Sequence, residues 1–369
     1  MTQHIVVAGA GYAGLAAAKL AAKWTDSRVT LVNAHDVFVE RVRLHQLASG
    51  QALRDLPLTG LLAGTGVDLV VDRITGIDAH ERTVRTESGR TLGYQRLIYA
   101  LGSRADLESV PGVAEHAYTV ASLDQARALR ARLAGAQSVV VAGGGLTGIE
   151  SAAEIAESYP DLKVRLVTGG ELGAALSQRA RRYLRRTYAR LGVEIQDSVR
   201  IAEVRSDGLV LDSGDHIGGD TVVWTAGFTV APLAREAGFA VDAAGRMLVD
   251  DTLRSVSHPE VTAIGDAAAM RMPSGQELRM ACATGLPSAQ VAMRAVAARM
   301  SGRDPKPLRY RYLNQCISLG RRDGLIQFVH SDDSPRDAIL TGRLAARYKE
   351  LIVRGTVLFE RHPALPAGV

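Results

Sequence analysis

Two glycine-rich turns of one design occur in this chain, and each opens a copy of the same longer pattern. The first lies in IVVAGAGYAG, with Gly9, Gly11 and Gly14; the second lies in VVVAGGGLTG, with Gly143, Gly145 and Gly148. In each, an apolar strand (Ile5 to Ala8; Val139 to Ala142) runs into a tight turn and then into a helix pattern rich in small residues. The first glycine permits the turn. The second lets the backbone approach a pyrophosphate with no Cβ in the way, and the third lets the helix pack close to the strand. The helix N-terminus then offers free N–H groups and partial positive charge to phosphates. A lone motif of this kind is weak, but both copies stand in the strand–turn–helix context that a dinucleotide site demands.

The copies continue in step. A second strand follows each helix, Arg28 to Val32 and Lys163 to Val167. Each copy then has a run of short alternating strands with hairpin-like turns, at Gly89 in one and at Ser213–Gly214 in the other. Both runs close on an apolar strand and a small-residue turn, Ala100–Leu101–Gly102 and Ala226–Gly227. A repeat this long sets the fold class as α/β, with two Rossmann-like dinucleotide-binding domains. Two nucleotides held against each other is the arrangement needed to pass a hydride from a nicotinamide to a flavin.

Composition narrows the class. A chain of 369 residues that is 47% hydrophobic can build two cores with a tail. No stretch is apolar for long enough to cross a bilayer. The first strand begins almost at once, so no signal peptide is expected and a cytoplasmic protein is. Cys282 and Cys316 are far apart and form no CxxC pair, which speaks against disulfide chemistry. No metal site is expected. The formal charge of +5 could draw the protein to an anionic surface, but aromatics are only 5%, and nucleic-acid binding is not expected.

Late in the chain, HPEVTAIGDAA ends an apolar strand on Gly265–Asp266. The order of first glycine motif, ALG turn, second glycine motif, AG turn and IGD resembles the two-dinucleotide-binding-domain flavoproteins over about the first 300 residues. Among these the chain is similar to type II NADH:quinone dehydrogenases and, more closely, to the ferroptosis suppressor and apoptosis-inducing-factor group. Three stretches carry that match: GGGLTGIESAAEIAESYPDLKVRLV; Leu319 to Gly324 followed by Gln327; and Gly342–Arg343–Leu344 leading to Arg347 and Lys349.

The resemblance implies an FAD-dependent enzyme that takes two electrons from NADH or NADPH and hands them to a quinone. It implies an FAD domain split into residues 1–110 and 236–305, an NAD(P)H domain at 111–235 inserted into it, and a small α+β piece at 306–369 over the flavin. Gly9, Gly11, Gly14, Gly102, Gly265 and Asp266 match FAD positions, and Gly143, Gly145, Gly148 and Glu150 match nucleotide positions. An acidic residue usually ends the second strand to hold ribose hydroxyls. Asn33 and Thr168 stand there instead, so Asn33 is expected on the FAD ribose, and Thr168 permits NADPH as well as NADH. Arg179 and Arg182 follow as possible partners of a 2′-phosphate. In Met280 to Arg294 the family's AQxxxQ pattern keeps Ala289 and Gln290 but has Arg294 for the second Gln. Gln290 and Lys349 are the acceptor candidates.

Three further expectations are specific enough to test. The stretch Glu40 to Gln46 departs from the family and reads by default as a solvated loop, with contact to the flavin or the acceptor as the alternative. A C-terminal helix is expected from about Asp337 to Arg354. Its Ile339, Leu340, Leu344, Leu351 and Ile352 read as core residues more readily than as a membrane anchor, so membrane contact is peripheral at most. Two other functions stay open: redox or oxygenation chemistry on a specialised metabolite, and a flavin-bound sensor.

Overall fold

The computed structural model describes residues 3–366. Its centre is a pair of five-stranded parallel sheets of matching order. In the first, the strands Val261–Ala263, Arg96–Tyr99, Gln3–Ala8, Ser27–Asn33 and Val67–Val71 lie side by side. In the second, the order is Ala117–Tyr118, Thr221–Trp224, Ser138–Ala142, Lys163–Val167 and Glu194–Gln196. Strands covered on both faces read as continuous apolar runs, which is why VVVA and IVVA carry no alternation. The outer strand of the first sheet comes from late in the chain. Its counterpart in the second comes from just before the glycine motif.

The duplication reaches single hydrogen bonds. Gly9 N donates to Val32 O at 2.8 Å, and Gly143 N donates to Val167 O at 2.8 Å. Ala100 N donates to Ala8 O at 2.9 Å, and Thr225 N to Ala142 O at 2.8 Å. Each unit also carries a three-stranded antiparallel sheet, Ile74–Asp78 with Thr83–Thr86 and Thr91–Gly93, and Ile201–Arg205 with Gly208–Leu211 and His216–Gly218. Gly89 and Gly214 fall in the turns of these sheets, both at positive φ.

Beyond the sheets, the helix Cys282–Met300 packs along Tyr12–Trp24. The C-terminal segment forms an antiparallel sheet of Asn314–Ser318, Gly324–Val329 and Pro335–Thr341, followed by the helix Gly342–Arg361. This corrects the expected helix from Asp337. Ile339 and Leu340 pair with Gln327 and Ile326 in the sheet, and the helix starts only at Gly342, whose φ is +72°. Strand pairing in the folded chain overrides a spacing that also fits a helix turn.

The expected core role of the helix's apolar residues is corrected too. Leu344, Leu351 and Leu358 are 63%, 71% and 52% exposed, and Ile352 is exposed as well. The buried side of this helix is formed by Ala345, Lys349, Val353, Val357 and Glu360. Among the described residues, no helix is long and apolar enough to cross a membrane.

Candidate functional site

Each glycine motif builds an open cradle. A Cβ on Gly14 would sit 1.9 Å from Gly9 O, and one on Gly148 would sit 1.9 Å from Gly143 O. Those two positions allow nothing larger than glycine. Gly11 and Gly145 are different. Each is the N-cap of its helix with no side-chain cap, and a Cβ there would meet nothing within 4 Å. Open space thus faces two helix N-termini whose first N–H groups lack a side-chain acceptor, which is the donor set a pyrophosphate needs. Both cradles fit a dinucleotide.

Around the first cradle, Asn33 Oδ1 accepts from Ala10 N at 2.9 Å and its amide donates to His35 O at 2.8 Å. Asn33 therefore braces the glycine turn with both ends of its side chain. Asp266 follows Gly265 in a short 3-10 turn, and its Oδ2 accepts from Ser103 Oγ at 2.6 Å. Arg41 Nη1 donates to Ser103 O at 3.0 Å and lies beside Gly102. Arg41 and Ser103 were not foreseen as site residues; the only sequence signal was the unusual charge of the 40–46 stretch.

Around the second cradle, Thr168 lies against Gly144, whose missing Cβ would sit 2.4 Å from Thr168 Oγ1. The middle glycine of GGG thus makes room for the residue that replaces the usual carboxylate. Arg179 and Arg182 do not gather round Thr168. They line a separate cleft with Arg186, Tyr183, Ile339 and Thr341.

The Glu40 to Gln46 stretch is no solvated loop. It forms a 3-10 turn, Arg41–Arg43, and the helix Leu44–Ala48. Glu40, Arg43, His45 and Gln46 are buried. Leu44 and Leu47 enter the core of the second unit beside Ile149 and Ile317, each burial contributing roughly 1.5–3 kcal/mol. That burial carries the charged neighbours inward, where Arg43 and Glu40 pair while the His45 Nε2 has no hydrogen-bond partner among the described residues. Arg43 makes paired hydrogen bonds to Glu350 at 2.9 and 3.0 Å and reaches Glu40 at 3.2 Å. Burial works against ionisation of Glu350, yet the hydrogen bonds from Arg43 and Arg354 hold its carboxyl down at about 2.

Glu150 lies at the meeting point of three segments. Its Oε1 accepts from Ser318 N at 2.9 Å and from Lys349 Nζ. Its Oε2 is 4.0 Å from His45 Nδ1. Glu154 accepts from Gln51, and Glu157 from Arg321 N. The helix of the second glycine motif therefore uses three carboxylates on one face to seat both the 40–51 stretch and the C-terminal sheet. Burial and the nearby Arg43 push the Lys349 ammonium down to about 7, with Glu350 opposing. Burial and the cations Lys349, Arg321 and Arg43 hold His45 well below its usual range. Lys349 is thus able to hold or release a proton near neutral pH, while the depressed His45 stays neutral there.

Lys349 opens onto a cleft of about 580 Å³, lined also by Gln46, Ser318, Arg321, Glu350 and Leu351. Gln290 is elsewhere. Its amide donates to Pro363 O at 2.7 Å and Leu365 O at 2.5 Å, bracing the segment after the last helix, while its Oε1 is buried without a partner among the described residues. The structure thus separates the two acceptor candidates.

The profile of the family described as pyridine nucleotide-disulphide oxidoreductase matches residues 3–302. An NADH dehydrogenase-like protein of Mycobacterium tuberculosis is 34% identical over 314 residues, 78% of each chain. The demethylphylloquinone reductase of a Synechocystis strain is 24% identical over 370 residues, 94% of this chain and 92% of its own. Among solved structures, the NDH2 of Plasmodium falciparum in complex with NADH superposes with a TM-score of 0.81 at 13% identity, covering 100% of this chain and 99% of that one. The sulfide:quinone oxidoreductase of Aquifex aeolicus superposes with a TM-score of 0.82 at 18% identity, covering 98% and 92%. At these identities the two structures show the fold.

Proposed function

Because this chain belongs to the pyridine nucleotide-disulphide oxidoreductase family, we propose that it is an FAD-dependent enzyme that passes two electrons from NADH or NADPH to a quinone. The observation that carries the reading is the pair of cradles with the same hydrogen bonds and the same open approach at Gly11 and Gly145. The chain has no CxxC pair, and Cys282 and Cys316 are both free thiols. Relatives named as a demethylphylloquinone reductase and as type II NADH:quinone oxidoreductases support a quinone acceptor.

Gly9, Gly11 and Gly14 would receive the FAD pyrophosphate, with Asp266 on its ribityl hydroxyls and Asn33 and Gly102 shaping the two ends. Gly143, Gly145, Gly148 and Thr168 would receive NAD(P)H. The flavin, when bound, supplies the chemistry that accepts a hydride and gives up an electron pair. Alignment of the two bound rings provides much of the acceleration and needs no side-chain acid or base. The protein's own chemistry lies at the acceptor end. A quinone takes up two protons with its two electrons, and Lys349 Nζ with Glu150 Oε1 is the buried pair suited to hold one of them. Glu150 is accordingly assigned to that pair rather than to the ribose.

Leu344, Leu351 and Leu358 recur every seven residues along the exposed side of the last helix, beside Arg343, Arg347 and Arg354. That face suits peripheral contact with an anionic bilayer from the cytoplasmic side, where a lipid-soluble acceptor resides. The test is anaerobic titration of the purified yellow protein with each reduced nucleotide, followed by menadione. The flavin should bleach with at least one nucleotide and recover with menadione. A flavin that stays oxidised with both overturns the proposal.

A further inference from the structure

The helix Gln178–Leu191 carries six arginines, and they fall into two sets. Arg181, Arg185 and Arg190 are each neutralised by a carboxylate, Glu171, Asp197 and Asp323 respectively. Arg179, Arg182 and Arg186 have no ion-pair partner among the described residues, and these three alone line a cleft of about 440 Å³. The far wall is the strand Pro335–Thr341, contributing Ile339 and the hydroxyl-bearing Thr341, with the Tyr183 ring between. No carboxylate lines the cleft.

All three guanidinium groups are exposed, and without an occupant only water and salt screen their mutual repulsion. Arginines three and four positions apart on a helix face repel one another. Arg179 also lies in the first turn, where the helix dipole disfavours a cation and where no acidic residue offsets it. An anion seated between the three guanidinium groups relieves both costs. Planar guanidinium forks match phosphate oxygens in pairs, and three of them exceed what one carboxylate can accept. The glycine motif and Thr168 are not among the lining residues, so the cleft is separate from the nucleotide cradle.

We infer that the cleft between the helix Gln178–Leu191 and the strand Pro335–Thr341 is a binding site for a phosphate-bearing anion, held by Arg179, Arg182 and Arg186. A free polyphosphate and a phospholipid headgroup share this chemistry, and the experiment separates them. The full-length holoprotein is titrated calorimetrically with inorganic pyrophosphate. In parallel, it is sedimented with vesicles of phosphatidylcholine alone or mixed with phosphatidylglycerol. The variant is Arg179→Gln/Arg182→Gln/Arg186→Gln. The control is Arg127→Gln/Arg200→Gln/Arg205→Gln, which removes the same charge from exposed sites elsewhere, and both are checked for native Tm and flavin content.

The expected result is a loss of more than about tenfold in affinity in the site variant and little change in the control. Loss in the pyrophosphate arm assigns a free anion; loss confined to the phosphatidylglycerol arm assigns a lipid headgroup. Absence of binding in both arms, equal loss in the control, or unchanged binding in the site variant overturns the inference. So does displacement of pyrophosphate by NADPH but not by NADH, which would make the cleft part of the nucleotide site.

Discussion

Lys349, on the last helix, donates to the carboxylate of Glu150, on the helix of the second glycine motif, although the two lie 199 positions apart in the chain. Both are nearly buried, at 11% and 12% side-chain exposure. Ser318 N shares the same carboxylate oxygen, and His45 faces the other. This junction joins the nucleotide helix, the C-terminal segment and the 40–46 stretch.

If the pair delivers a proton to the acceptor, Lys349→Met should slow reoxidation of pre-reduced enzyme by menadione about a hundredfold, the low end of what a positioned general acid contributes. Reduction of the flavin by nucleotide should be unaffected. In the native protein the acceptor step should slow as pH rises through about 7, where Lys349 loses its proton, and the variant should lack that break. Stopped-flow traces of the two half-reactions against pH decide the matter.

Glu360 is fully buried, and neither carboxylate oxygen is hydrogen-bonded among the described residues. Burial raises its carboxyl well above the ordinary 4.5, and Lys19 only partly opposes this. The unfolded chain therefore loses this proton at lower pH than the folded one, and stability declines as pH rises above 4.5. Glu360→Gln should raise Tm at pH 8, and the gain should vanish below about pH 4 as both states become protonated. A lower Tm for the variant at pH 8 would contradict the assignment.

Arg43→Ala should free the last helix. It takes from the buried Glu40 the nearer of its two guanidinium partners, leaving Arg54 at 3.6 Å, and breaks the paired bonds to Glu350, a loss of about 3 kcal/mol for a buried pair broken on one side. Because the Glu350 carboxyl sits at about 2 in the folded chain, the contribution of this pair is complete above pH 4.5. It fades as pH falls toward 2. Limited proteolysis within residues 342–361 should accelerate at pH 7, and the difference from the native protein should shrink in acid.

The two cradles should be separable. Gly148→Ala places a methyl 1.9 Å from Gly143 O, an overpacking cost of about 1–3 kcal/mol. The variant should remain yellow but fail to bleach with either nucleotide. Gly14→Ala, with the same clash against Gly9 O, should yield colourless protein instead. A yellow Gly14→Ala protein would unseat the assignment of that cradle to FAD.

Strand, turn and helix in each glycine motif were legible because their cause is local. An apolar run, a residue free of Cβ and a helix of small residues sit within about a dozen positions, and the physics of close approach acts on neighbours. The doubled sheet followed from the repeat, down to the turns at Gly89 and Gly214. The 40–46 stretch misled for the opposite reason. Its charges look solvated until Leu44 and Leu47 are seen drawn into another unit's core, where Arg43 meets Glu350 from the far end of the chain. The last helix misled likewise. A spacing of three and four cannot say whether Ile339 pairs in a sheet or Leu351 faces water, because that depends on what covers each face.

Short-range geometry thus determined the two glycine cradles and the α/β class, since glycine's missing Cβ acts wherever the chain folds. Tertiary structure alone decided which charges are buried and which leucines are bare. Coulomb and hydrophobic energies depend on the partner and on the solvent excluded, and both are supplied by residues hundreds of positions away.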